Sequence, residues 1–406
     1  MDLISGTPFW PLRDGLLATY SPLPGDRTAD VAVIGAGITG ALAADRLARA
    51  GHDVVVLDRR EAARGSTAAS TALLQYEIDT PLADLAERHG WEEAAAAYQD
   101  CRDAVQALRE LAGEVGRETD FKDKASLLLA SNQDHVPRLR REFEARQRAG
   151  FRVHWLEEGD LRERSSLPHP AGLLTSRRDA AQVDAHALAH GLLRRAQAAG
   201  AGVHDRTAVT SWRRTGGRIV LHTDREAVVR AKCVVVATGF EAGPFLPRQV
   251  MELNSTYAMV TEPLPERPGL PTGEPLIWET RQPYCYMRTT ADGRLLAGGY
   301  DDPFRDPAER DRRVPEKTRL LERKLRRWFP EIPRIEADWT WAGTFAETKD
   351  GLPYIGEHVS RSGFWFALGY GGNGITYSQI AARLLDQRLR GEPDEADERR
   401  YRFKRK

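Results

Sequence analysis

The sequence of 406 residues has little cysteine, no net charge and no long uncharged apolar run. Its three cysteines, Cys101, Cys233 and Cys285, are far apart and form no CxxC pair, which argues against a disulfide framework and a zinc site. The 59 basic residues are balanced by 59 acidic ones, so no basic field indicates nucleic-acid binding. Neither a signal peptide nor a membrane-spanning stretch is recognisable. We therefore expect a cytoplasmic protein without a nucleic-acid partner.

A short apolar run at 31–35, a small-residue helix from about residue 38 and a second apolar run at 54–57 predict a β-α-β unit. Gly35, Gly37 and Gly40 form a G-x-G-x-x-G motif between the first strand and the helix. At this spacing Gly35 permits a tight turn, Gly37 lets backbone approach a pyrophosphate, and Gly40 lets helix and strand pack closely. The helix start, with Ile38 and Thr39, then faces the phosphates of a bound dinucleotide.

Asp58 ends the second strand, 18 residues after Gly40. A carboxylate at this place accepts hydrogen bonds from a ribose hydroxyl and repels a 2′-phosphate, although Arg59 and Arg60 leave NADP open. We assign Asp58, Arg59 and Arg60 to cofactor binding. The fingerprint itself does not separate NAD from FAD.

Three further motifs follow the β-α-β unit: a small-residue segment at 63–71, a strand ending in Ala-Thr-Gly at 233–239, and glycine-rich turns at 350–356 and 369–375. In this order the four motifs resemble the D-amino-acid-oxidase-like (DAO) family of FAD-dependent oxidoreductases, nearest to its glycine/sarcosine oxidase and γ-glutamylputrescine oxidase branches. The resemblance implies FAD as cofactor. It assigns to FAD binding the residues Gly65, Ser66, Thr67, Ser70, Thr71, Val209, Ala237, Thr238, Gly239, Gly343, Gly371, Gly372, Asn373, Gly374 and Ile375.

Some sarcosine-oxidase relatives link the flavin through a cysteine near the C-terminal motif. The corresponding segment here, residues 341–349, contains no cysteine, and no histidine lies between His52 and His89. We therefore expect FAD to be held without a covalent bond.

The order of elements predicts an α/β chain with two interleaved domains. A Rossmann-like FAD-binding domain is expected over 30–85, 155–245 and 336–395. An α+β substrate domain with a mostly antiparallel sheet is expected over 86–154 and 246–335. An irregular arm at 1–29 precedes them, and a basic, solvated tail at 396–406 follows.

The resemblance also implies the chemistry: oxidation of a C–N bond of an amine or amino acid by hydride transfer to flavin, with hydrolysis of the imine. Oxygen or another acceptor would reoxidise the flavin. Two alternatives stay open, a C–O-oxidising flavin dehydrogenase of the same fold and an FAD-binding subunit that is active only with a partner. The sequence does not indicate the oligomeric state.

Tyr284, Tyr286 and Arg288 alternate along a predicted strand and share one face. We predict that this face lines the substrate site, with Arg288 holding a carboxylate; an aromatic sheet face with an arginine salt bridge is the alternative. Tyr257 is a second candidate for substrate binding.

Glu77 is a candidate for the second amino group of a polyamine-like substrate. We assign Lys349, together with Tyr286 and Arg288, to catalysis, because a cation near flavin promotes oxygen reduction. A surface salt bridge is the alternative for Lys349. No metal site is predicted: His186 and His190, four residues apart, lack a third ligand, and we expect them to face solvent.

Overall fold

A computed structural model describes residues 4–405. Residues 1–3 of the predicted arm and residue 406 of the predicted tail lie outside the described residues. The strands of the described chain are β1 (Ile4–Ser5), β2 (Arg27–Ile34), β3 (Val54–Leu57), β4 (Leu73–Gln75), β5 (Lys122–Lys124), β6 (Ser126–Leu129), β7 (Val153–Glu157), β8 (Ala171–Thr175), β9 (Ala180–Gln182), β10 (Gly202–His204), β11 (Val209–Thr215), β12 (Arg218–Thr223), β13 (Val228–Val236), β14 (Glu252–Thr261), β15 (Leu276–Glu279), β16 (Cys285–Thr289), β17 (Leu295–Pro303), β18 (Ala337–Glu347), β19 (Tyr354–Glu357) and β20 (Phe364–Leu368).

Its α-helices are α1 (Phe9–Asp14), α2 (Ile38–Arg49), α3 (Ser66–Ala69), α4 (Leu82–His89), α5 (Trp91–Val115), α6 (Val136–Arg148), α7 (Glu158–Arg164), α8 (Ala185–Ala198), α9 (Pro307–Trp328), α10 (Gly374–Leu389) and α11 (Glu395–Tyr401). None of the helices within residues 4–405 combines the length and apolar character needed to cross a bilayer.

An eight-stranded sheet contains the predicted β-α-β unit. Strands β10, β3, β2, β13 and β20 pair in parallel, whereas β11, β12 and β19 join antiparallel. The side chains of β3 are fully buried, as expected for a parallel strand covered on both faces. Helix α2 packs between α8 and α10. The sheet thus carries a Rossmann-like layer, as the sequence predicted.

A nine-stranded sheet forms the second layer, in the order β1-β18-β14-β17-β16-β15-β6-β8-β7. Its pairs are antiparallel except β15 with β6. Helix α9 packs on one face through Leu321, Leu325 and Trp328, all buried. The opposite face is therefore free to border the region between the two sheets. A small third sheet of β4, β9 and β5 completes the fold.

The interleaving of two sheets is confirmed, but three segments lie in a different layer from the one predicted. Strands β7 and β8 fall within 155–245 for the most part, and β18 falls within 336–395, yet all three belong to the nine-stranded sheet. The reason is pairing: β8 hydrogen-bonds to both β6 and β7, and β18 runs alongside β14 over its whole length.

The predicted irregular arm is partly ordered. Residues 27–29 already belong to β2, and α1 buries Phe9 and Trp10. The indole Nε1 of Trp10 donates to the carbonyl of Ser70, with 2.7 Å between nitrogen and oxygen. The arm therefore covers the small-residue segment at 63–71.

The predicted solvated tail is docked as well. Arg400 pairs with Asp100 at 2.7 Å, and the Arg405 Nε lies 2.6 Å from the Asp350 carboxylate. Because carboxylates of the body satisfy these guanidinium groups, the basic charge of the tail is held against the protein.

His186 and His190 do not face solvent, in contrast to the prediction. They are 3% and 4% exposed, because α8 packs beneath the residues of the arm, where the Tyr20 hydroxyl lies 3.4 Å from the His190 Nδ1. Within residues 4–405 no group of three or more His, Cys, Asp or Glu side chains is placed to hold a metal ion.

Candidate active site

A cavity of about 600 Å³ reaches from the carboxyl ends of β2 and β3 to the nine-stranded sheet. This is the crevice where open α/β sheets bind their ligands. Nearly all predicted cofactor residues line it. They are Gly35, Gly37, Ile38, Thr39, Asp58, Arg59, Arg60, Gly65, Ser66, Thr67, Ser70, Thr71, Val209, Ala237, Thr238, Gly239, Gly343, Gly371, Gly372, Asn373, Gly374 and Ile375.

The glycine loop at the start of α2 has little room for side chains. Gly35 has a φ of +110°, and a Cβ there would lie 2.4 Å from the Ala237 carbonyl oxygen. A Cβ on Gly40 would lie 1.8 Å from the Gly35 oxygen. Gly40 is therefore a packing residue and does not line the cavity, whereas Gly37 does.

The N-cap residue of α2 is Gly37, which has no side chain to cap the helix. The Ile38 N–H donates to the Thr67 hydroxyl at 2.9 Å, so the small-residue segment is fastened to the glycine loop. A helix N-terminus open to the cavity attracts anions such as phosphate.

Asp58 directly follows β3, and its carboxylate contacts the glycine loop. It accepts hydrogen bonds from the backbone N–H groups of Ala36 at 2.7 Å and Arg60 at 2.8 Å, while burial raises its pKa. Arg59 and Arg60 both pair with Glu241, which also lines the cavity. Sequence reasoning missed Glu241, whose charge opposes binding of a 2′-phosphate by these arginines.

The cavity presents polar groups that still need partners. The hydroxyls of Ser66 and Thr238 line it and are buried without a hydrogen bond. The N-terminus of α10 has no side-chain cap; the Asn373 amide donates instead to the carbonyls of Gln75 at 3.2 Å and Glu77 at 2.7 Å. Two open helix ends and buried orphan hydroxyls fit a long polar ligand with a diphosphate.

Aromatic and acidic side chains line the end of the cavity against the nine-stranded sheet. Tyr284 and Tyr286 are there, as predicted, with ring centroids 5.8 Å apart. The Tyr284 hydroxyl donates to Asp79 at 2.9 Å, and the Gly372 N–H donates to the same carboxylate at 2.6 Å. Asp301 also lines this end. Neither Asp79 nor Asp301 lies in a recognisable motif, and sequence reasoning missed both.

Arg288 shares the strand face of Tyr286 but does not line the cavity. It is 2% exposed, and its guanidinium donates to the carbonyls of Thr71 at 2.6 Å and Val183 at 3.0 Å. Burial lowers its pKa to about 10. This geometry argues against the predicted role of Arg288 as a carboxylate ligand, because backbone oxygens use its donors.

Tyr257 points away from the cavity. It follows the cavity-lining Thr256 on β14 and therefore faces the opposite side of the sheet, where Lys317 Nζ lies 5.1 Å from its ring. Its 1% exposure leaves no access from the cavity side. The structure does not support substrate binding by Tyr257.

Glu77 and Lys349 are also outside the cavity lining. Glu77 is fully buried and pairs with Arg146 at 2.5 Å, so its side chain is held in an ion pair away from the cavity. The Lys349 side chain is 86% exposed, with the Glu252 carboxylate 3.9 Å away. The structure corresponds to the surface salt bridge foreseen as the alternative for Lys349.

Fold and cavity together define a dinucleotide-binding protein of the Rossmann type. The model of one family, DAO, described as FAD dependent oxidoreductase, matches residues 30–388. The chain belongs to this family, and it is an enzyme that uses FAD.

Individual relatives are similar over nearly the whole chain. Glycine oxidase of Geobacillus kaustophilus is 29% identical over 88% of this chain and 91% of the relative. Gamma-glutamylputrescine oxidoreductase of Escherichia coli is 26% identical over 94% of this chain and 88% of the relative. The crystal structure of the Geobacillus kaustophilus glycine oxidase superimposes with a TM-score of 0.77 over 94% of this chain and 99% of that chain, at 23% identity.

Proposed function

We propose that this enzyme oxidises a C–N bond of a small amine, with FAD held without a covalent bond in the 600 Å³ cavity. One observation carries the proposal: a single cavity contains both the glycine loop at one end and aromatic and acidic side chains at the other, against the nine-stranded sheet. The names of the two relatives above, a glycine oxidase and a gamma-glutamylputrescine oxidoreductase, favour an amine or amino acid as substrate.

The residues that would hold FAD are those of the glycine loop, the small-residue segment and the 369–375 turn. Asp58 would accept a hydrogen bond from a ribose hydroxyl, and the open end of α2 would face the diphosphate. Non-covalent binding is supported by the lining itself, since neither cysteine nor histidine is among the described residues that line the cavity.

When bound, FAD would accept a hydride from the carbon next to the substrate nitrogen, and water would hydrolyse the released imine. The chain would position the substrate. Tyr284 and Tyr286 would pack against it, and Asp79 would fix the Tyr284 hydroxyl and the Gly372 backbone relative to each other. A rigid pocket of this kind would hold the bound substrate in one orientation relative to the flavin.

Oxidation of a phosphate-bearing alcohol, the C–O alternative, has less support. Such a substrate needs converging cations, and the cations among the described lining residues are Arg59 and Arg60. Both pair with Glu241, beside Asp58 rather than beside the tyrosines.

We propose oxygen or another small acceptor as the oxidant that restores FAD. We also propose a cytoplasmic location, which the three free cysteines, Cys101, Cys233 and Cys285, favour.

An anaerobic visible spectrum tests the function. The protein is reconstituted with FAD, oxygen is removed, and primary and secondary amines are added singly. Bleaching of the flavin absorption by an amine supports C–N oxidation. Bleaching by a hydroxy compound and by no amine would favour the C–O alternative, and reduction that requires a second protein would favour a partner-dependent subunit.

A further inference from the structure

A second cavity, of about 350 Å³, adjoins the main one and shares Asp79, Tyr284, Asp301 and Phe345 with it. Its remaining lining residues are Thr80, Asn254, Gln282, Pro283, Asp302, Pro303 and Glu347. Gln282, Pro283 and Pro303 are exposed. This antechamber therefore connects the aromatic end of the main cavity with the protein surface.

The antechamber is acidic, and only one of its four carboxylates is neutralised. Asp302 pairs with Arg313 at 2.6 Å and Lys317 at 2.7 Å. Asp79, Asp301 and Glu347 form no ion pair within residues 4–405. No lysine, arginine or histidine is among the described residues that line the antechamber.

Asp301 carries the observation that points to a ligand. Its Oδ1 is buried and has no hydrogen-bond partner in the described chain, although Asp301 lines both cavities. A buried carboxylate oxygen without a donor is costly unless a donor arrives with a ligand.

The other two unpaired carboxylates, Glu347 and Asp79, accept hydrogen bonds from uncharged donors. Glu347 accepts from the Asn254 amide at 2.9 Å, and Asp79 accepts from Tyr284 and Gly372. Burial, reinforced by the charge of Asp79, raises the pKa of Glu347 to about 6. Burial and the charge of Asp79 also raise the pKa of Asp301 to about 7, although the Thr256 hydroxyl and the charge of Lys317 oppose this rise. Such mutual repulsion is relieved by a cation placed among them.

We propose that Asp79, Asp301 and Glu347 form a subsite for a second, positively charged group of the substrate. The enzyme would thus select a diamine-type cation and disfavour α-amino acids, because a carboxylate next to the reacting nitrogen would be repelled by Asp79 and Asp301, which also line the main cavity. This inference rests on the proposed amine oxidation and names its substrate class. The cation would sit in the antechamber while the reacting nitrogen lies beyond Tyr284 in the main cavity.

The test uses three probes of similar length and different end charge, together with one α-amino acid. 1,4-Diaminobutane carries a second ammonium, pentylamine ends in a methyl group, 4-aminobutanoate ends in a carboxylate, and alanine has its carboxylate next to the nitrogen. Flavin bleaching in the FAD-loaded enzyme is followed anaerobically against probe concentration, which gives the rate of reduction and the dissociation constant. We expect the ratio of rate to dissociation constant to be about tenfold or more higher for the diamine than for pentylamine.

Substitutions that remove a negative charge but keep the size of the side chain separate the effect of charge from that of shape. Asp301→Asn and Glu347→Gln should each lower that ratio about tenfold for 1,4-diaminobutane and much less for pentylamine, so that the preference for the diamine is lost. The matched control is Glu266→Gln, because Glu266 is exposed and lines neither cavity. This control should leave all four probes unchanged. FAD content shows that each variant is folded.

Equal use of pentylamine and the diamine, or preferential use of alanine, would overturn the subsite and leave amine oxidation standing. The subsite would also be overturned if Asp301→Asn and Glu347→Gln lowered the ratio of rate to dissociation constant equally for both amines. If no amine reduces the bound flavin, the proposed function fails, and the subsite fails with it.

Discussion

The carboxylate of Asp79 accepts a hydrogen bond from the Tyr284 hydroxyl, with 2.9 Å between the two oxygens. Its second oxygen accepts from the Gly372 N–H at 2.6 Å. One side chain thus joins the tyrosine-bearing part of the nine-stranded sheet to the glycine turn at the start of α10. We regard this link as the feature that fixes the substrate end of the cavity.

Removing the Tyr284 hydroxyl should therefore impair activity without unfolding the protein. Tyr284→Phe leaves the ring in place but deprives Asp79 of a donor, and hydrogen bonds to charged groups contribute about 1.5 to 3 kcal/mol. We expect kcat/KM for the best amine to fall about tenfold. Steady-state kinetics at equal FAD content check this. The control is Tyr354→Phe, since Tyr354 stacks on Phe403 away from the cavity, and an equal loss in both variants would contradict the role of Tyr284.

Gly37→Ala should weaken FAD binding and preserve the fold. A Cβ at Gly37 would meet only the Thr67 hydroxyl, at 3.0 Å, but it would stand where the backbone approaches the diphosphate. We expect at least a tenfold higher dissociation constant for FAD, measured by quenching of flavin fluorescence. Gly113→Ala is the control, because nothing lies within 4 Å of a Cβ there. Unchanged FAD affinity in Gly37→Ala would contradict the placement of the diphosphate.

Arg288→Ala should lower stability rather than alter substrate preference. The substitution leaves the carbonyls of Thr71 and Val183 without their donor, at a cost of about 3 kcal/mol in the free energy of unfolding. Thermal denaturation measures the loss, with the exposed Arg281→Ala as control. A selective rise in KM for carboxylate-bearing substrates at unchanged Tm would restore Arg288 as a substrate ligand.

The raised pKa of Asp301 predicts a pH dependence of stability. Its folded-state pKa is about 7 because the carboxyl is buried, whereas an unfolded aspartate titrates near 4. Between about pH 4 and 7 the folded state holds a proton that the unfolded state has released, so rising pH destabilises the wild type through this group. The free energy of unfolding of Asp301→Asn should thus increase relative to the wild type across this window and level off above about pH 7.

Chemical denaturation at several pH values measures this difference. Asp134→Asn, at an exposed position, serves as the control and should show no such trend. A flat difference for Asp301→Asn would mean that the carboxyl ionises as freely as an exposed one, and the acidic antechamber would lose its support.

The glycine-loop end of the cavity was predictable because local sequence determines it. Gly35, Gly37 and Gly40 are close in sequence and adjoin a strand and a helix, and strand alternation correctly placed Tyr284 and Tyr286 on one face. Alternation cannot show how deep a residue lies on that face. Arg288 is on the predicted face, but it lies beneath the small-residue segment, and its guanidinium donates hydrogen bonds to backbone carbonyls.

The acidic antechamber could not be predicted, because tertiary packing alone assembles it. Asp79, Asp301 and Glu347 come from three distant segments, and none belongs to a motif. The same limitation explains Glu77, whose partner Arg146 is 69 residues away, and the tail, whose Arg400 reaches Asp100. Long-range ion pairs leave no periodic signal in the sequence.

The most direct test of the account is the anaerobic visible spectrum of the FAD-loaded enzyme before and after addition of 1,4-diaminobutane. The account predicts bleaching of the flavin absorption, at lower concentration than pentylamine requires. A flavin that stays oxidised with every amine tested would contradict the central claim that this enzyme oxidises C–N bonds.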